Sequence, residues 1–125
     1  MTKAIHTDTA PAAIGPYSQA IRWDNTVYVS GQLPIDPATG AFAGEDIAAQ
    51  TRQSLTNIKN ILAAEGLEMS HVVKTTVMLK DIADFAAMNE VYAEFFAAPY
   101  PARAASQVAA LPKDARVEIE CVAAF

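Results

Sequence analysis

The sequence predicts a single α+β domain in which two helices cover one face of a mixed β-sheet. Segments with strand-like alternation occur near both ends of the 125-residue chain, and two segments with helical spacing lie between them. Hydrophobic residues make up 52% of the chain and charged residues 18%, which excludes the intrinsically disordered class. We therefore expect residues 1–125 to form one domain.

The first predicted elements form a β-hairpin. Strand-like runs at 17–23 and 26–32 are separated by Asp24-Asn25, a pair that is typical of a tight turn. The segment 34–40 contains two prolines and ends the strand pair as a loop.

Two amphipathic helices follow. The first begins at Glu45 and ends near Gly66, a typical C-terminal glycine; its apolar stripe comprises Ile47, Thr51, Leu55, Ile58 and Leu62. The second covers 84–97, with Asp84 as a candidate N-cap, and the prolines beyond it stop the helix.

Three further strands complete the predicted order β-β-α-β-α-β-β. The segment 71–79 has apolar residues on both faces, with Val73, Thr75, Val77 and Leu79 sharing one of them, which predicts an interior strand. The segment 102–125 contains two strands around a turn at 111–114. One face of the last strand is apolar and comprises Val117, Ile119, Cys121 and Ala123.

The sheet face away from the helices still carries Met78, Val122 and several alanines. In a monomer of this size that face would be an exposed apolar patch, so we expect other subunits to cover it.

Composition excludes several classes of function. The net charge of −5 repels phosphate backbones, so we expect no nucleic-acid partner. No apolar run of about 18 residues and no hydrophobic signal core occur, so we expect no membrane partner and a cytoplasmic location. The single cysteine, Cys121, is expected to be a small buried hydrophobe. His6 and His71 do not suggest a metal site, and we expect neither to be catalytic.

Arg103 and two glutamates are the candidate charged groups of a site. Arg103 lies among alanines at the start of a strand, where its planar guanidinium suits a carboxylate ligand; a surface ion pair is the alternative. Glu118 and Glu120 share a strand face about 7 Å apart. They are either an acid–base pair or part of a solvated face. Arg103 on a neighbouring strand would draw one of them inward.

Two candidate groups lie nearer the N-terminus. At Ser30-Gly31 a predicted strand ends at a glycine, whose backbone N–H is free to bind an anion. The alternative is an ordinary turn at the end of the strand. Tyr17 carries a phenol that either donates a hydrogen bond in a site or packs at the rim of the core.

Together these motifs resemble the RidA family, also called YjgF or reactive-intermediate deaminases. The matching strings follow the family order over nearly the whole chain: Ala10–Ala20 (APAAIGPYSQA), Val29–Pro34 (VSGQLP), Val73–Val77 (VKTTV), Met88–Tyr92 (MNEVY), Tyr100–Arg103 (YPAR) and Leu111–Glu120 (LPKDARVEIE). The resemblance implies a chorismate-mutase-like fold and a homotrimer with clefts between subunits. It also implies hydrolysis of reactive 2-enamines and 2-imino acids (2-aminoacrylate, 2-iminopropanoate, 2-iminobutanoate) to 2-keto acids and ammonia, without a metal or organic cofactor.

The resemblance implies a role for each matching residue. Arg103 would anchor the substrate carboxylate, and Glu118 would place or activate water. Gly31 would offer its backbone N–H, with Ser30 lining the cleft beside it. Tyr17, supplied by the adjacent subunit, would border the site.

Asn89 matches a helix-borne polar residue that is structural or cleft-lining, and Glu120 matches a position without assigned chemistry. The sequence departs from the family at Arg103-Ala104-Ala105, where active members often have Arg-Ser-Cys. The missing thiol puts thiol-based regulation in doubt. The smaller Ala105 would enlarge the pocket and favour bulkier imines.

Two other functions are alternatives. The first is a non-catalytic trimer that senses 2-imino or 2-keto acids. The second is the endoribonuclease or translation-inhibitor activity that is ascribed to some relatives. The acidic charge and the lack of aromatic residues beside basic ones disfavour the second. A chaperone-like role, also ascribed to some relatives, is a further alternative.

Overall fold

One six-stranded sheet and two helices make up the computed structural model, which describes residues 1–125. The strands are β1 (Thr2–Ile5), β2 (Ala20–Trp23), β3 (Thr26–Gln32), β4 (Val72–Leu79), β5 (Ala102–Gln107) and β6 (Val117–Ala124). The helices are α1 (Ile47–Ala63) and α2 (Phe85–Phe95). Short 3₁₀ turns occur at Met69–His71, Ile82–Asp84 and Pro112–Asp114. The predicted α+β class and the two helices are confirmed.

The sheet order is β1-β2-β3-β6-β4-β5. Every neighbouring pair is antiparallel except β4 and β5, which α2 connects as a parallel pair. The predicted interior strand is confirmed, because β4 lies between β6 and β5. Neither helix combines the length and the apolar composition that a membrane-spanning helix requires.

Both helices pack on one face of the sheet, where the apolar core lies. The apolar stripe of α1 packs against β3 and β6. The inward face of β6 is buried as predicted, with Val117, Ile119, Cys121 and Ala123 all in the core. The opposite sheet face is open in the single chain, where Trp23 and Tyr28 are exposed and Met78 and Val122 are half-buried.

The N-terminal region differs from the prediction in two ways. A strand that the sequence did not predict, β1, pairs with β2 at the edge of the sheet. The strand predicted at 17–23 begins only at Ala20. Gln19, which precedes it, is buried and uses its side-chain amide to bind the backbone of Thr7 and Pro11. That amide fixes the preceding loop.

The alternation predicted for β4 is wrong at its start. The pairing of β4 with β6 shifts register between Val72 and Lys74. Because a β-bulge moves one side chain to the other face, Val72 is buried and Val73 is 50% exposed. His71 lies before the strand, in a 3₁₀ turn, where its Nδ1 accepts a hydrogen bond from the Glu68 N–H at 3.0 Å.

The helix ends follow their capping residues. Asp46 is the N-cap of α1, and its carboxylate accepts a hydrogen bond from the Ala49 N–H at 3.3 Å. Beyond the helix, Gly66 has a left-handed backbone (φ 74°), and the Leu67 N–H donates to the Leu62 carbonyl. The helix predicted over 84–97 is shorter in the structure, because α2 begins at Phe85 and ends at Phe95.

Asp84 occupies the N-cap position of α2 but makes no side-chain capping hydrogen bond. Its carboxylate lies 3.4 Å from Nη1 of Arg116 instead.

Candidate active site

A cavity of about 840 Å³ opens beside the β3–β6 pair. Its lining includes five of the residues singled out in the sequence: Tyr17, Ser30, Gly31, Glu118 and Glu120. We call this cavity the glutamate groove. Tyr17 lines it in the same chain as Ser30 and Gly31. The expectation that an adjacent subunit supplies Tyr17 to the site stays a prediction.

An irregularity in β3 brings Gly31 against Glu118. The register between β3 and β6 shifts between Val29 and Gln32, which makes Ser30 and Gly31 the bulged pair. A Cβ atom at position 31 would lie 2.6 Å from Oε2 of Glu118. Only glycine leaves room for the carboxylate in this position. The strand continues through Gly31 to Gln32, so the irregularity is a bulge and not a strand-end turn.

Hydrogen bonds hold the wall of the groove in place. The Ser30 hydroxyl donates to the Ser18 carbonyl at 2.6 Å, and the Ser30 N–H donates to the Gln19 carbonyl at 2.9 Å. The Gln19 side chain donates to the Pro11 carbonyl at 2.8 Å. The loop that carries Tyr17 is thereby tied to the bulge, while the Tyr17 ring remains 52% exposed.

The surroundings of Glu118 in the glutamate groove favour the protonated form of its carboxyl. Burial raises the pKa of Glu118, and the negative charge of Glu120 raises it further. Both glutamates line the groove, together with the exposed cation Lys113. A carboxyl whose pKa is shifted toward neutrality can both accept and donate a proton, as general acid–base chemistry requires.

Arg103 lies in a second cavity, of about 460 Å³, which we call the arginine cleft. Its Nη1 donates to Oδ1 of Asn89 at 2.7 Å, and its guanidinium carbon lies 4.8 Å from the centre of the Tyr92 ring. Asn89 and Arg103, singled out separately in the sequence, are therefore in direct contact. The guanidinium makes no ion pair, which disagrees with the surface-ion-pair alternative.

The sheet separates Arg103 from Glu118. Arg103 pairs across β4 with Thr75, and its side chain contacts α2 on the helix-covered face. Glu118 pairs with Met78 on the opposite face. The expectation that Arg103 draws a glutamate of the same chain inward is therefore wrong.

The remaining candidates lie outside both cavities. Cys121 is 4% exposed, and burial raises the pKa of its thiol to about 12, so its predicted role as a buried hydrophobe is confirmed. Ala105 packs against the edge of the core beside Val77. His6 is exposed and lies 3.0 Å from the Asp8 carboxylate.

Sequence reasoning missed Gln19 and Tyr92 as supports of the site. Both occur inside the motif strings, but a glutamine beside a strand and a tyrosine on an apolar helix stripe look like ordinary structural residues. Their partners are distant in sequence, and only the fold reveals them.

Comparison with known proteins identifies the family. The profile of the Endoribonuclease L-PSP family matches residues 7–125. The chain belongs to this family. It is the family also named RidA and YjgF, so the resemblance drawn from the motifs is confirmed.

Three similar proteins match over most of their own length. The 2-iminobutanoate/2-iminopropanoate deaminase of Bos taurus is 55% identical over 121 residues, which cover 97% of this chain and 88% of that protein. The protein of the same name from Salmonella typhimurium is 52% identical over 126 residues and covers 98% of each chain. The crystal structure of TdcF from E. coli with bound serine has a TM-score of 0.94 at 46% identity and covers 98% of each chain.

Proposed function

We propose that this protein hydrolyses reactive 2-imino acids, such as 2-iminopropanoate from 2-aminoacrylate and 2-iminobutanoate, to 2-keto acids and ammonia. The observation that carries the proposal is a half-buried Glu118 carboxyl with a raised pKa, held against the Gly31 bulge in the glutamate groove. Relatives more than 50% identical over nearly the whole chain carry the deaminase name, which supports the same reaction.

The reaction asks little of the protein beyond water placement and proton transfer. Glu118 as carboxylate accepts a proton from water while the oxygen attacks the imine carbon. Glu118 returns that proton to the nitrogen, which gives a neutral aminoalcohol. The hydroxyl proton of the aminoalcohol then passes through Glu118 to the nitrogen, the C–N bond breaks, and ammonia leaves as the C=O bond forms. The raised pKa of Glu118 suits both halves of this transfer. The imine is already electrophilic, so no cofactor is needed.

Arg103 would anchor the substrate carboxylate through charge-assisted hydrogen bonds. Since Arg103 and Glu118 lie on opposite sheet faces, they reach one ligand only if the glutamate groove of one subunit faces the arginine cleft of another. We therefore propose that the sites lie between subunits. The homotrimer and the chorismate-mutase-like fold that the family resemblance implies are part of the same proposal. Tyr17, Ser30 and the Gly31 backbone would come from the subunit that supplies Glu118.

Two further residues would lie on the arginine side of such a site. Asn89 already accepts a hydrogen bond from Arg103 and would fix one edge of the guanidinium. Ala105 packs at the edge of the core, two residues after Arg103 on the same strand, and its small side chain would leave room beside the ligand. The half-exposed apolar residues Met78 and Val122 support burial of the open sheet face in the trimer.

The test is ammonia and keto-acid release from 2-aminoacrylate, generated in place by a pyridoxal-phosphate dehydratase in a buffer that slows spontaneous decay. Wild type should accelerate release. Glu118→Gln should lower kcat by about 10²- to 10⁴-fold, the usual contribution of an acid–base group. Arg103→Ala should raise KM at least about tenfold, because a hydrogen bond to a charged group contributes about 1.5–3 kcal/mol.

Matched controls come from an ion pair on the outer helix surface. Arg52 and Glu94 form an exposed pair at 2.7 Å, so Arg52→Ala and Glu94→Gln should leave release unchanged. If wild type binds 2-oxobutanoate through Arg103 but does not accelerate release, the deaminase proposal is wrong and the chain is a ligand-sensing protein.

Mixing inactive variants tests the shared site. Refolding equal amounts of Arg103→Ala and Glu118→Gln chains together should restore about a quarter of wild-type activity, because about one interface in four combines an intact arginine with an intact glutamate. A site built within one chain would recover nothing.

A further inference from the structure

Helix α2 holds an aromatic ring beside the guanidinium of Arg103. The guanidinium carbon lies 4.8 Å from the centre of the Tyr92 ring and 5.4 Å from that of Phe85. Tyr92 is only 6% exposed, whereas Arg103 is exposed. The cation thus lies at the surface against a largely buried aromatic wall, within the range of a cation–π interaction.

The Tyr92 ring is itself fixed by a buried hydrogen bond. Its hydroxyl lies 2.8 Å from the hydroxyl of Thr75, which is fully buried, and neither hydroxyl has another hydrogen-bond partner in the chain. Thr75 is also the residue that pairs with Arg103 across the parallel β4–β5 ladder. Tilting the ring would leave two buried hydroxyls unpaired, which is strongly unfavourable.

Packing and protonation support the same orientation. The Phe96 ring lies 4.6 Å from the Tyr92 ring, centre to centre. Burial raises the pKa of Tyr92, which keeps its hydroxyl protonated and able to share a hydrogen bond with Thr75. The ring is therefore held by a hydrogen bond and by a packed neighbour.

The arrangement leaves part of Arg103 available to a ligand. Its Nη1 donates to Asn89, and neither Nε nor Nη2 has a hydrogen-bond partner in the chain. An arginine on a solvated strand normally samples many rotamers, and ordering it on binding reduces affinity. The contacts with Asn89 and Tyr92 restrict that freedom before a ligand arrives.

We propose that Tyr92, held in place by Thr75, is a positioning residue that pre-orients the guanidinium of Arg103 for the carboxylate of a 2-imino or 2-keto acid. The inference rests on the proposed function, because it takes Arg103 as the carboxylate anchor. Tyr92 does not touch the reacting atoms, so it should govern binding and leave the chemical step unchanged.

The first measurement is the affinity of the protein for 2-oxobutanoate, by titration calorimetry, which needs no turnover. Tyr92→Leu removes the ring and should weaken binding between about two- and thirty-fold, the range that corresponds to a cation–π contact. KM for 2-iminobutanoate should rise by the same factor, while kcat stays within about twofold of wild type. Tyr92→Phe keeps the ring, so its affinity should fall less than that of Tyr92→Leu.

The second measurement observes Arg103 directly, with no ligand present. Its side-chain NMR signals should carry ring-current shifts in wild type and lose them in Tyr92→Leu. Thr75→Val, which removes the hydroxyl partner but keeps the side-chain shape, should broaden or shift the same signals. This variant keeps the proposal testable if Tyr92→Leu does not fold.

Two controls separate positioning from general destabilisation. Phe95→Leu removes an aromatic ring from the same helix without touching Arg103, so affinity should stay at the wild-type value. In an Arg103→Ala background, Tyr92→Leu should produce no further loss of affinity, because the group that it positions is gone.

The outcomes distinguish the two proposals. Unchanged affinity and unchanged Arg103 signals in folded Tyr92→Leu would overturn the positioning role while leaving deaminase activity intact. Wild type that binds 2-oxobutanoate but releases no ammonia would overturn the deaminase proposal, and the affinity series would still decide the role of Tyr92. If wild type binds no 2-oxobutanoate, the positioning role is overturned as well.

Discussion

Replacing Gly31 with alanine should displace the Glu118 carboxylate without removing it. The new Cβ would lie 2.6 Å from Oε2 and 3.0 Å from Cδ of Glu118, whereas ordinary van der Waals contact begins at 3.4 Å. The carboxylate must therefore retreat by about 0.8 Å to restore ordinary contact. Gly31 does not occupy the left-handed region, so alanine introduces no backbone strain at this position.

A shift of this size is large for a group that places water. Misplacing a reacting group by about 1 Å can reduce a rate by about 10²-fold, so Gly31→Ala should lower kcat on 2-iminobutanoate by up to that factor. The assay is steady-state ammonia release, with the melting temperature measured in parallel to show that the variant is folded.

A double-mutant cycle isolates the contact between the two residues. In a Glu118→Ala background the clashing atoms are absent, so Gly31→Ala should cause little further loss of activity or stability. Wild-type kcat in Gly31→Ala, or an equal loss in the Glu118→Ala background, would refute the argument that the glycine exists to seat this carboxylate.

Three other predictions follow from local chemistry. Glu118→Gln should raise the melting temperature near neutral pH. The pKa of Glu118 is higher in the folded than in the unfolded protein, so the ionised carboxylate destabilises the fold as pH rises through the folded-state pKa. The higher melting temperature of the variant should disappear below pH 4.5, where the wild-type carboxyl is protonated in the folded and the unfolded protein. Cys121 should resist thiol alkylation in the folded protein and react only on unfolding, as mass spectrometry would show, because its buried thiol has a pKa of about 12. Asp46→Ala should lower the free energy of unfolding in urea by about 1 kcal/mol, while Asp46→Asn retains the cap of α1.

Periodicity in the sequence predicts elements that bury a continuous stripe or face. The stripe of α1 and the inward face of β6 are strongly patterned, and both were predicted correctly. The edge strand β1 was missed because only Ile5 of its four residues is buried, which leaves too little pattern to detect. Alternation assigns a side chain to a face only while the register is unbroken, so the bulge at Val72–Lys74 reversed the prediction for Val73.

The motifs identified the family, but they do not state on which side of the sheet each site residue lies. In β5 the neighbours of Arg103 are alanines, and such a strand has no apolar pattern that distinguishes its two faces. The separation of Arg103 from Glu118 therefore required the strand order and the contacts with α2. The Thr75–Tyr92 hydrogen bond was equally hidden, since both residues look like core positions.

The separation of Arg103 and Glu118 has a chemical consequence. Side by side in one chain, they would form an ion pair, and a substrate would have to break that pair before either group could act. On opposite faces of the sheet, neither residue is in an ion pair, although Arg22, Arg52 and Arg116 all are. Glu118 therefore keeps its raised pKa, and Arg103 keeps free donors for a carboxylate. A site assembled from two subunits would bring the two charges together only across a bound ligand, with the substrate carboxylate on the arginine and the imine carbon toward the glutamate.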